Sequence, residues 1–595
     1  MTPRGRWVAR QTGLDLALIL VASAFAWGAL LAPTYFLQAH DARHSVFFLL
    51  EFDKAFRDGA LYPRWGIDFA LGYGYPLFSY YSPIAYYVAE AVHLLGAGLT
   101  DAVKVTYVLS TLASGWAMYG FVRRLFGRHA GLLAAVLYML APYHLVDVYV
   151  RSSFAEHVAY VFLPLVFWSF HDLVEAPTVG RVALAALAYA ALILTHNATF
   201  MLATPLLVAY GAYLVLRRML RRVSPTGTSI VAALSAVGAA LLAFALSAVL
   251  LFPVILERAF ITQAQWTQGS FDYVKHFTFL GQLLSPFWGY GYAGGGVHTD
   301  MSLQLGVVAV ILTVLSVAWR PARRCRGPWV FFLLASVTLI LLMMPLSQPL
   351  WRALPLVGLV QFPWRLLLPA TLTLSVTAGS LISGAPNGGA LSVGDASETQ
   401  GPGPLAWILC LVAVLASQSY AVPQYTPPNP RSETEKAIID FETFYPPDRV
   451  GMTAWVQQQP TTSPLVAEYL ANQPLTRARL LSGDGEVRTT RSSGRTIEAT
   501  VRTPAGSTVQ FYVYYFPGWE ARVDGQPVAS RPEGPQALLT VDVPGGEHHV
   551  LVRFIDTPMG QRGMIVSLAA LIVTALMGAA GWRRGSRRPQ SCQRV

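Results

Sequence analysis

LDLALILVASAFAWGALLAPTYFLQAHDARHSVFFLLEFDKAFRDGALYPRWGIDFALGYGYPLFSYYSPIAYY, residues 14–87, changes character partway along. From Leu14 to Phe36 it is apolar over a length that spans the roughly 30 Å hydrocarbon core of a bilayer. That run is too long for the apolar part of a signal peptide and lacks a small-residue cleavage site, so it reads as an uncleaved first helix. From His40 onward, charged residues alternate with Tyr, Phe, Trp, Gly and Pro, which reads as a long loop outside the bilayer.

The rest of the chain repeats this alternation. Of 595 residues, 54% are hydrophobic and 13% charged, about half the charge of a soluble domain. The net charge of +11 does not point to nucleic acid, because the arginines fall in short clusters between apolar runs. Cytoplasmic loops of membrane proteins are enriched in Lys and Arg. One threading puts Arg4/Arg6/Arg10, Arg123/Arg124/Arg128, Arg217/Arg218/Arg221/Arg222, Arg320/Arg323/Arg324/Arg326 and Arg583/Arg584/Arg587/Arg588 all inside. Its spans are 14–36, 104–123, 129–145, 155–174, 180–196, 198–216, 230–253, 301–319, 329–345, 364–384, 404–421 and 561–582. The fold class is therefore an α-helical polytopic membrane protein of about 12 transmembrane helices, with both termini in the cytoplasm of a plasma-membrane protein.

Residues 83–99 are apolar enough to tempt a thirteenth span, but spanning there would throw Arg123/Arg124/Arg128 outside. The run is short and carries Glu90 and His93, so an interfacial helix on the outer leaflet fits. The domain plan is a transmembrane module over 1–421 with a long external first loop at 37–103, an external domain over 422–560, and a last helix with a basic tail over 561–595. Further external loops fall at 146–154, 254–300 and 346–363, while the 385–403 loop has no basic residue to fix its side. The three cysteines, Cys325, Cys410 and Cys592, give the external domain no disulfide.

From about 485 the external domain reads as short alternating strands broken by turns, with Asp524-Gly525 as a tight hairpin signal. An all-β sandwich follows. Residues 422–480 predict one or two short helices. Tyr512, Tyr514, Tyr515, Phe516 and Trp519 are either sugar-stacking aromatics or, by simple alternation, sandwich core.

Ionisable residues gather at the outer helix ends: His40, Asp41, Arg43 and His44, then Asp147, Arg151 and Glu156, then His196, Arg258 and Arg365. An ion-coupled transporter would place carboxylates near the midplane of broken helices. Clustering at the outer ends points to a site at the outer face.

An acidic residue just after the first span, an amphipathic helix, a Tyr-Pro-Arg-Trp and Gly/Pro/Tyr run and an interfacial helix together resemble the GT-C glycosyltransferases, polytopic enzymes that take a sugar from a polyprenyl-phosphate carrier. The chain is more closely similar to bacterial membrane proteins termed 6-pyruvoyl-tetrahydropterin synthase-related, and to the YfhO-like proteins near them. The pterin name corresponds to no chemistry in these residues. Ala141-Pro142-Tyr143-His144 through Glu156, Thr195-His196-Asn197, Gln361-Phe362-Pro363-Trp364-Arg365 and the YYFPGWEARVDGQPV segment carry the likeness.

The resemblance implies a GT-C-like fold and transfer of a sugar to a lipid, glycan or protein acceptor. Such transfer needs a base for the acceptor hydroxyl and cations for the leaving phosphate. Asp41, placed where a lipid-linked phosphate would lie, is the candidate catalytic base, with helix capping as its alternative. Arg151 and Arg365 are the candidate donor-phosphate ligands. Their alternatives are an ion pair with Asp147 or Glu156 for Arg151, and snorkelling for Arg365. His40, His44, Glu156, His196 and Gln361 support them. Many GT-C enzymes carry two acidic residues where this chain has His40-Asp41, so a divalent metal ion stays open, though no ligand spacing marks one. The rival readings are a lipid-linked glycan flippase or transporter, and a glycan-binding scaffold.

Overall fold

In the computed structural model, the described residues are 3–35, 38–220, 226–294, 296–321, 325–354, 357–383, 403–426, 433–445 and 452–586. The loop at 385–402 and Arg221, Arg222, Arg323, Arg324, Arg587 and Arg588 lie outside them.

Each of the apolar runs forms a helix. Among the described residues these are Pro3–Trp27, Leu99–Phe126, Arg128–Met139, Phe154–Glu175, Val179–Ile193, Asn197–Leu220, Thr226–Leu246, Val307–Ala318, Arg326–Met343, Leu367–Gly379, Gly403–Ser417 and Pro558–Ser586. Among the described residues, eight stretches are long and apolar enough to cross a membrane, and three apolar helices are shorter. The expected span at 301–319 is one of the short ones. Its helix starts only at Val307, because Gly306 sits at φ 92° and residues before it run extended, with Met301 bridged to Tyr290. The expected span at 230–253 bends at Ser247 into a second helix, Ala248–Leu256.

The run at 83–99 yields a helix over Ile84–Leu94. Eleven residues rise about 16 Å, half the hydrocarbon thickness, so this helix does not span.

The third expected span breaks near its far end, away from the Arg-rich side. Arg128–Met139 stops, the chain turns through Leu140 and Ala141, and Pro142 opens a new helix to Tyr149 with its fixed φ. Residues 130–149 are all buried within the protein. Irregular backbone at membrane depth is tolerated only under such protein cover.

Basic segments collect at one end of the bundle. Arg123 donates to Thr12 Oγ1 at 2.8 Å, Arg124 pairs with Asp172 at 2.9 Å, Arg218 donates to the carbonyls of Val174 and Glu175, and Cys325 reaches Leu125. The other ends meet on the opposite side: Tyr149 donates to Ala26 O, Ser417 to Leu140 O, Ile84 N to Leu194 O and Thr278 N to Met343 O.

On that second side stands a two-sheet β unit. Its strands are β1 Ala478–Ser482, β2 Glu486–Ser493, β3 Thr496–Thr503, β4 Ser507–Tyr514, β5 Trp519–Val523, β6 Gln526–Val528, β7 Ser530–Glu533, β8 Leu538–Val543 and β9 Gly546–Phe554. They pair as β1-β4-β8-β7 and β2-β3-β9-β5-β6, antiparallel throughout. Asp524 and Gly525 turn β5 into β6 with φ of 49° and 81°, both positive as a two-residue hairpin of this kind requires. Two short helices, Glu435–Phe444 and Leu465–Ala471, precede the strands. Tyr512, Tyr514, Phe516 and Trp519 are buried in the sandwich core, so of the five aromatics only Tyr515 is part-exposed.

The first loop is built into this unit. Trp65 lies in the sandwich core against Trp519 and Phe554, at ring separations of 5.2 and 5.3 Å. Arg477, fully buried, donates to Asp68 at 2.9 Å and to the Gly72 carbonyl. Lys54 and Tyr469 also bond Asp68. Burial alone would raise the Asp68 carboxyl, but Lys54 and Arg477 outweigh it and hold it below the usual range. Asp58 accepts from Arg491, the Arg495 amide and Thr496. The first loop, from residue 38 on, and the β unit therefore lie on the same side of the bundle.

Candidate active site

The break after Met139 swings the Pro142–Tyr149 helix so that its last turn meets the start of the first loop. The chain then turns through Ser152, a non-glycine at φ 50°. Asp41 N donates to Arg151 O at 2.8 Å, and His40 N to Val150 O at 3.0 Å. Two segments a hundred residues apart are thus joined main chain to main chain. Asp41 starts the helix Ala42–Arg57, yet its side chain makes no capping bond, and the residue is exposed. Among the described residues no side chain donates to its carboxylate.

Beside it is a buried cluster of charges. Arg151 (4% exposed) pairs with Asp147 (0%), four residues back on the same turn, and with Glu156 (1%) at 3.0 Å. Tyr143 ties the set together, accepting from Arg151 at 2.9 Å and donating to Glu156 Oε1 at 2.8 Å. The Trp364 ring covers the Arg151 guanidinium at 4.7 Å. The alternative weighed for Arg151, an ion pair with Asp147 or Glu156, is the arrangement found, and it leaves Arg151 little freedom to meet a ligand. Burial disfavours its charge, but Glu156, Tyr143 and Asp147 outweigh that and keep it a cation.

Arg365 is the more open cation. Its Nε lies 3.7 Å from Glu156 without a hydrogen bond, and Nη1 donates to Gln361 Oε1 at 3.0 Å and Val360 O at 3.1 Å. Gln361 sits at φ 65°, where a non-glycine residue is strained, and its amide donates to Trp266 O at 3.0 Å. The glutamine thereby joins Arg365 to the 254–300 loop. Arg365 is held by these specific bonds rather than by snorkelling alone.

The remaining expected residues divide. His196 is buried. Its Nδ1 accepts from the Thr199 amide, so Nε2 carries the proton. The ring lies within electrostatic reach of Glu156, Arg365 and Arg151 and so belongs to the cluster. His40 donates Nε2–H toward the carbonyls of Tyr290 and Gly291 and stacks on Tyr292 at 4.1 Å, which pins the first loop to the 254–300 loop. Burial lowers it, Asp41 opposes and Arg151 adds. His44 packs edge-on against Phe48 and Phe441. Among the described residues no three His, Cys, Asp or Glu side chains converge to hold a metal, and His40, His44 and His196 with Asp41 do not fit one.

Tyr81 escaped notice in the sequence. Burial raises its phenol, and Asp41, Arg365, Glu156 and Arg151 all act on it electrostatically. A single tyrosine in SYYSP has no spacing that would single it out. Near the start of the Tyr143 helix lies an apolar cleft of about 30 Å³, lined by Leu137, Pro142, Leu305, Thr371, Leu374 and Tyr420. It has room for about one water.

A helical membrane bundle with a buried, strained charge cluster under a β-sandwich on one side defines the class. Residues 78–385, just over half of the chain, match the 6-pyruvoyl-tetrahydropterin synthase related domain, a membrane protein family, and the chain belongs to that family. It is 23% identical over 209 residues to an uncharacterized protein of Lactococcus lactis subsp. cremoris (strain MG1363), covering 34% of this chain and 33% of that one. The match thus spans about a third of the curated relative. Among solved structures the chain is similar to arabinofuranosyltransferase AftD from Mycobacteria, at TM-score 0.39 and 19% identity over 70% of this chain and 27% of that one. It is also similar to ArnT from Cupriavidus metallidurans bound to undecaprenyl phosphate, at TM-score 0.36 and 14% identity over 68% and 62%. A third is the apo Archaeoglobus fulgidus oligosaccharyltransferase, at TM-score 0.38 and 13% identity over 70% and 56%.

Proposed function

We propose that the protein is an integral-membrane glycosyltransferase that moves a sugar from a polyprenyl-phosphate-linked donor to a lipid, glycan or protein acceptor. The observation that carries this reading is the main-chain junction that joins exposed Asp41, whose carboxylate makes no capping bond, to buried Arg151 of the charge cluster. Asp41 takes the proton of the acceptor hydroxyl as that oxygen attacks the anomeric carbon. The bond from that carbon to the phosphate oxygen breaks, and its electron pair stays with the carrier phosphate. Arg365, with a free Nε–H, faces the charge that grows there. Arg151 lies behind it, neutralised by Glu156 and Asp147, and sets the position of Asp41 through its carbonyl.

By the positive-inside rule the Arg-rich end is cytoplasmic and the site is at the outer face of the plasma membrane, with both termini inside. Cysteines replacing exposed Asp101 and Gln526 are expected to label from outside the cell; labelling from the cytoplasm alone reverses the orientation. Asp58 is unsuited to this test, being covered by Arg491.

The deciding experiment incubates purified protein with labelled polyprenyl-phosphate sugars and an extract of envelope acceptors. Release of carrier phosphate with appearance of a labelled product is expected. Labelled donor that crosses a vesicle membrane unchanged is the result that turns the reading to a flippase.

A further inference from the structure

Glu90 lies in the Ile84–Leu94 helix, 2% exposed, and among the described residues neither of its carboxylate oxygens has a hydrogen-bond donor. Its neighbour is Asp53 on the Ala42–Arg57 helix. Asp53 Oδ1 takes Arg57 Nε at 2.5 Å and faces His93 Nε2 at 3.8 Å. His93 donates its Nδ1–H to Ala97 O at 2.7 Å, so in the neutral ring Nε2 presents a lone pair to Asp53. Among the described residues, the basic groups that face the two carboxylates are Arg57, whose side chain is 57% exposed, and the His93 ring. Charges on the other helices packed here are turned elsewhere. Lys104 pairs with Asp101 and donates to Ala32 O, and His157 faces Thr111 Oγ1 at 3.2 Å.

Two carboxylates in contact, one of them buried, do not both ionise at ordinary cost. We propose that Glu90 and Asp53 share one proton, forming a pH-sensitive latch between the interfacial helix and the helix that begins at Asp41. Protonated Glu90 bridges to Asp53 and holds the two helices together. Loss of the proton sets two anions against each other and loosens the Ile84–Leu94 helix. The latch is a property of the fold and stands or falls separately from the transfer reaction.

Burial, and after it Asp53, pushes the Glu90 carboxyl up to about 7, with Arg57 opposing. The folded value lies above the unfolded one. The destabilisation is therefore absent below the unfolded pKa and fully present once pH has risen through about 7.

The test uses the full chain in lipid nanodiscs. Amide exchange over residues 84–94, corrected for intrinsic rates, and the infrared carboxyl stretch are followed from about pH 5 to about pH 8.5. Expected is a one-proton loosening near neutral pH, with loss of a protonated-carboxyl band. In Glu90→Gln, which is neutral at every pH, both changes disappear and the helix stays protected. In Asp53→Asn the midpoint moves down. A transition that persists in Glu90→Gln, or one that vanishes in His93→Gln, overturns the proposal. If Glu90→Gln does not fold, an unmoved midpoint in Asp53→Asn overturns it alone.

Discussion

Two buried carboxylate–guanidinium clusters sit at opposite ends of the bundle, and they are finished differently. At the basic end Asp15 receives Arg128 through both oxygens, at 2.5 and 2.7 Å, and Tyr119 adds a bond at 2.6 Å. At the other end Asp147, Arg151, Glu156 and Arg365 also balance, two charges against two, but atoms are left over. Asp147 Oδ2 and Arg365 Nε are buried without a hydrogen-bond partner, and the flanking Ser152 and Gln361 have positive φ. Buried polar groups are normally satisfied, and strain persists where surrounding structure imposes it, often at functional sites. The satisfied pair reads as architecture and the unsatisfied set as a site.

The comparison breaks most directly at Asp41. It has no side-chain hydrogen bond to lose, so Asp41→Asn is expected to leave the unfolding midpoint unchanged. Carrier-phosphate release should fall about 10²–10⁴-fold, the range for loss of a general base. Full activity in this variant removes Asp41 from the reaction.

The inner pair should give the opposite pattern. Asp15→Ala removes the carboxylate that Arg128 grips through both oxygens, and breaking a buried pair costs about 3–5 kcal/mol. Arg128 keeps 13% exposure and recovers part of this at the membrane surface, so about 2–3 kcal/mol is expected. The measurement is thermal unfolding in detergent beside activity per folded molecule. A rate that falls while the midpoint holds would make the inner pair functional too.

Arg365→Lys sharpens the outer half. Lysine keeps the charge but loses the fork that lets Arg365 hold Gln361 and Val360 while Nε–H stays free. One charge-assisted hydrogen bond is worth about 1.5–3 kcal/mol. Donor KM is expected to rise about tenfold or more with little change in the unfolding midpoint.

These contrasts also show what could be read ahead of the structure. The helices were legible because apolar runs and Arg clusters are local patterns, and the sandwich because strands alternate and Asp524-Gly525 turns them. The four charges of the strained cluster were legible too: Asp147, Arg151 and Glu156 lie within ten residues, near enough for a sequence pattern to join them, and Arg365 stands at a helix end. What stayed hidden depends on chain segments that meet only in three dimensions. Arg477 gives no sign in sequence that it will be buried against Asp68, nor does Trp65, in the Tyr-Pro-Arg-Trp run, that it will pack in the sandwich core. Tyr81 and the Trp266 carbonyl enter the site through loops with no periodicity.

The smallest expected effect tests whether Gln361 belongs with the site or with the scaffold. Its backbone is left-handed, and its two side-chain bonds run to Arg365 and to Trp266 O. Asparagine tolerates that backbone conformation better than most residues. Gln361→Asn therefore keeps the turn and shortens only the reach, losing both side-chain bonds. Two net hydrogen bonds would cost about 1–3 kcal/mol, but both are part-buried and water can replace them, and easier backbone geometry offsets some of the loss. A change in the unfolding midpoint of no more than a few degrees follows. Arg365, no longer steered by the amide, should bind donor several-fold less tightly while kcat at saturating donor stays near its normal value. Gln361→Glu completes the comparison: a carboxylate keeps a grip on Arg365 but loses the donor to Trp266 O. If donor KM recovers in Glu while it is raised in Asn, the bond to Arg365 is the one that matters. If both variants lower the midpoint and leave KM alone, Gln361 is scaffold, and the strained turn belongs with the architecture at the other end of the bundle.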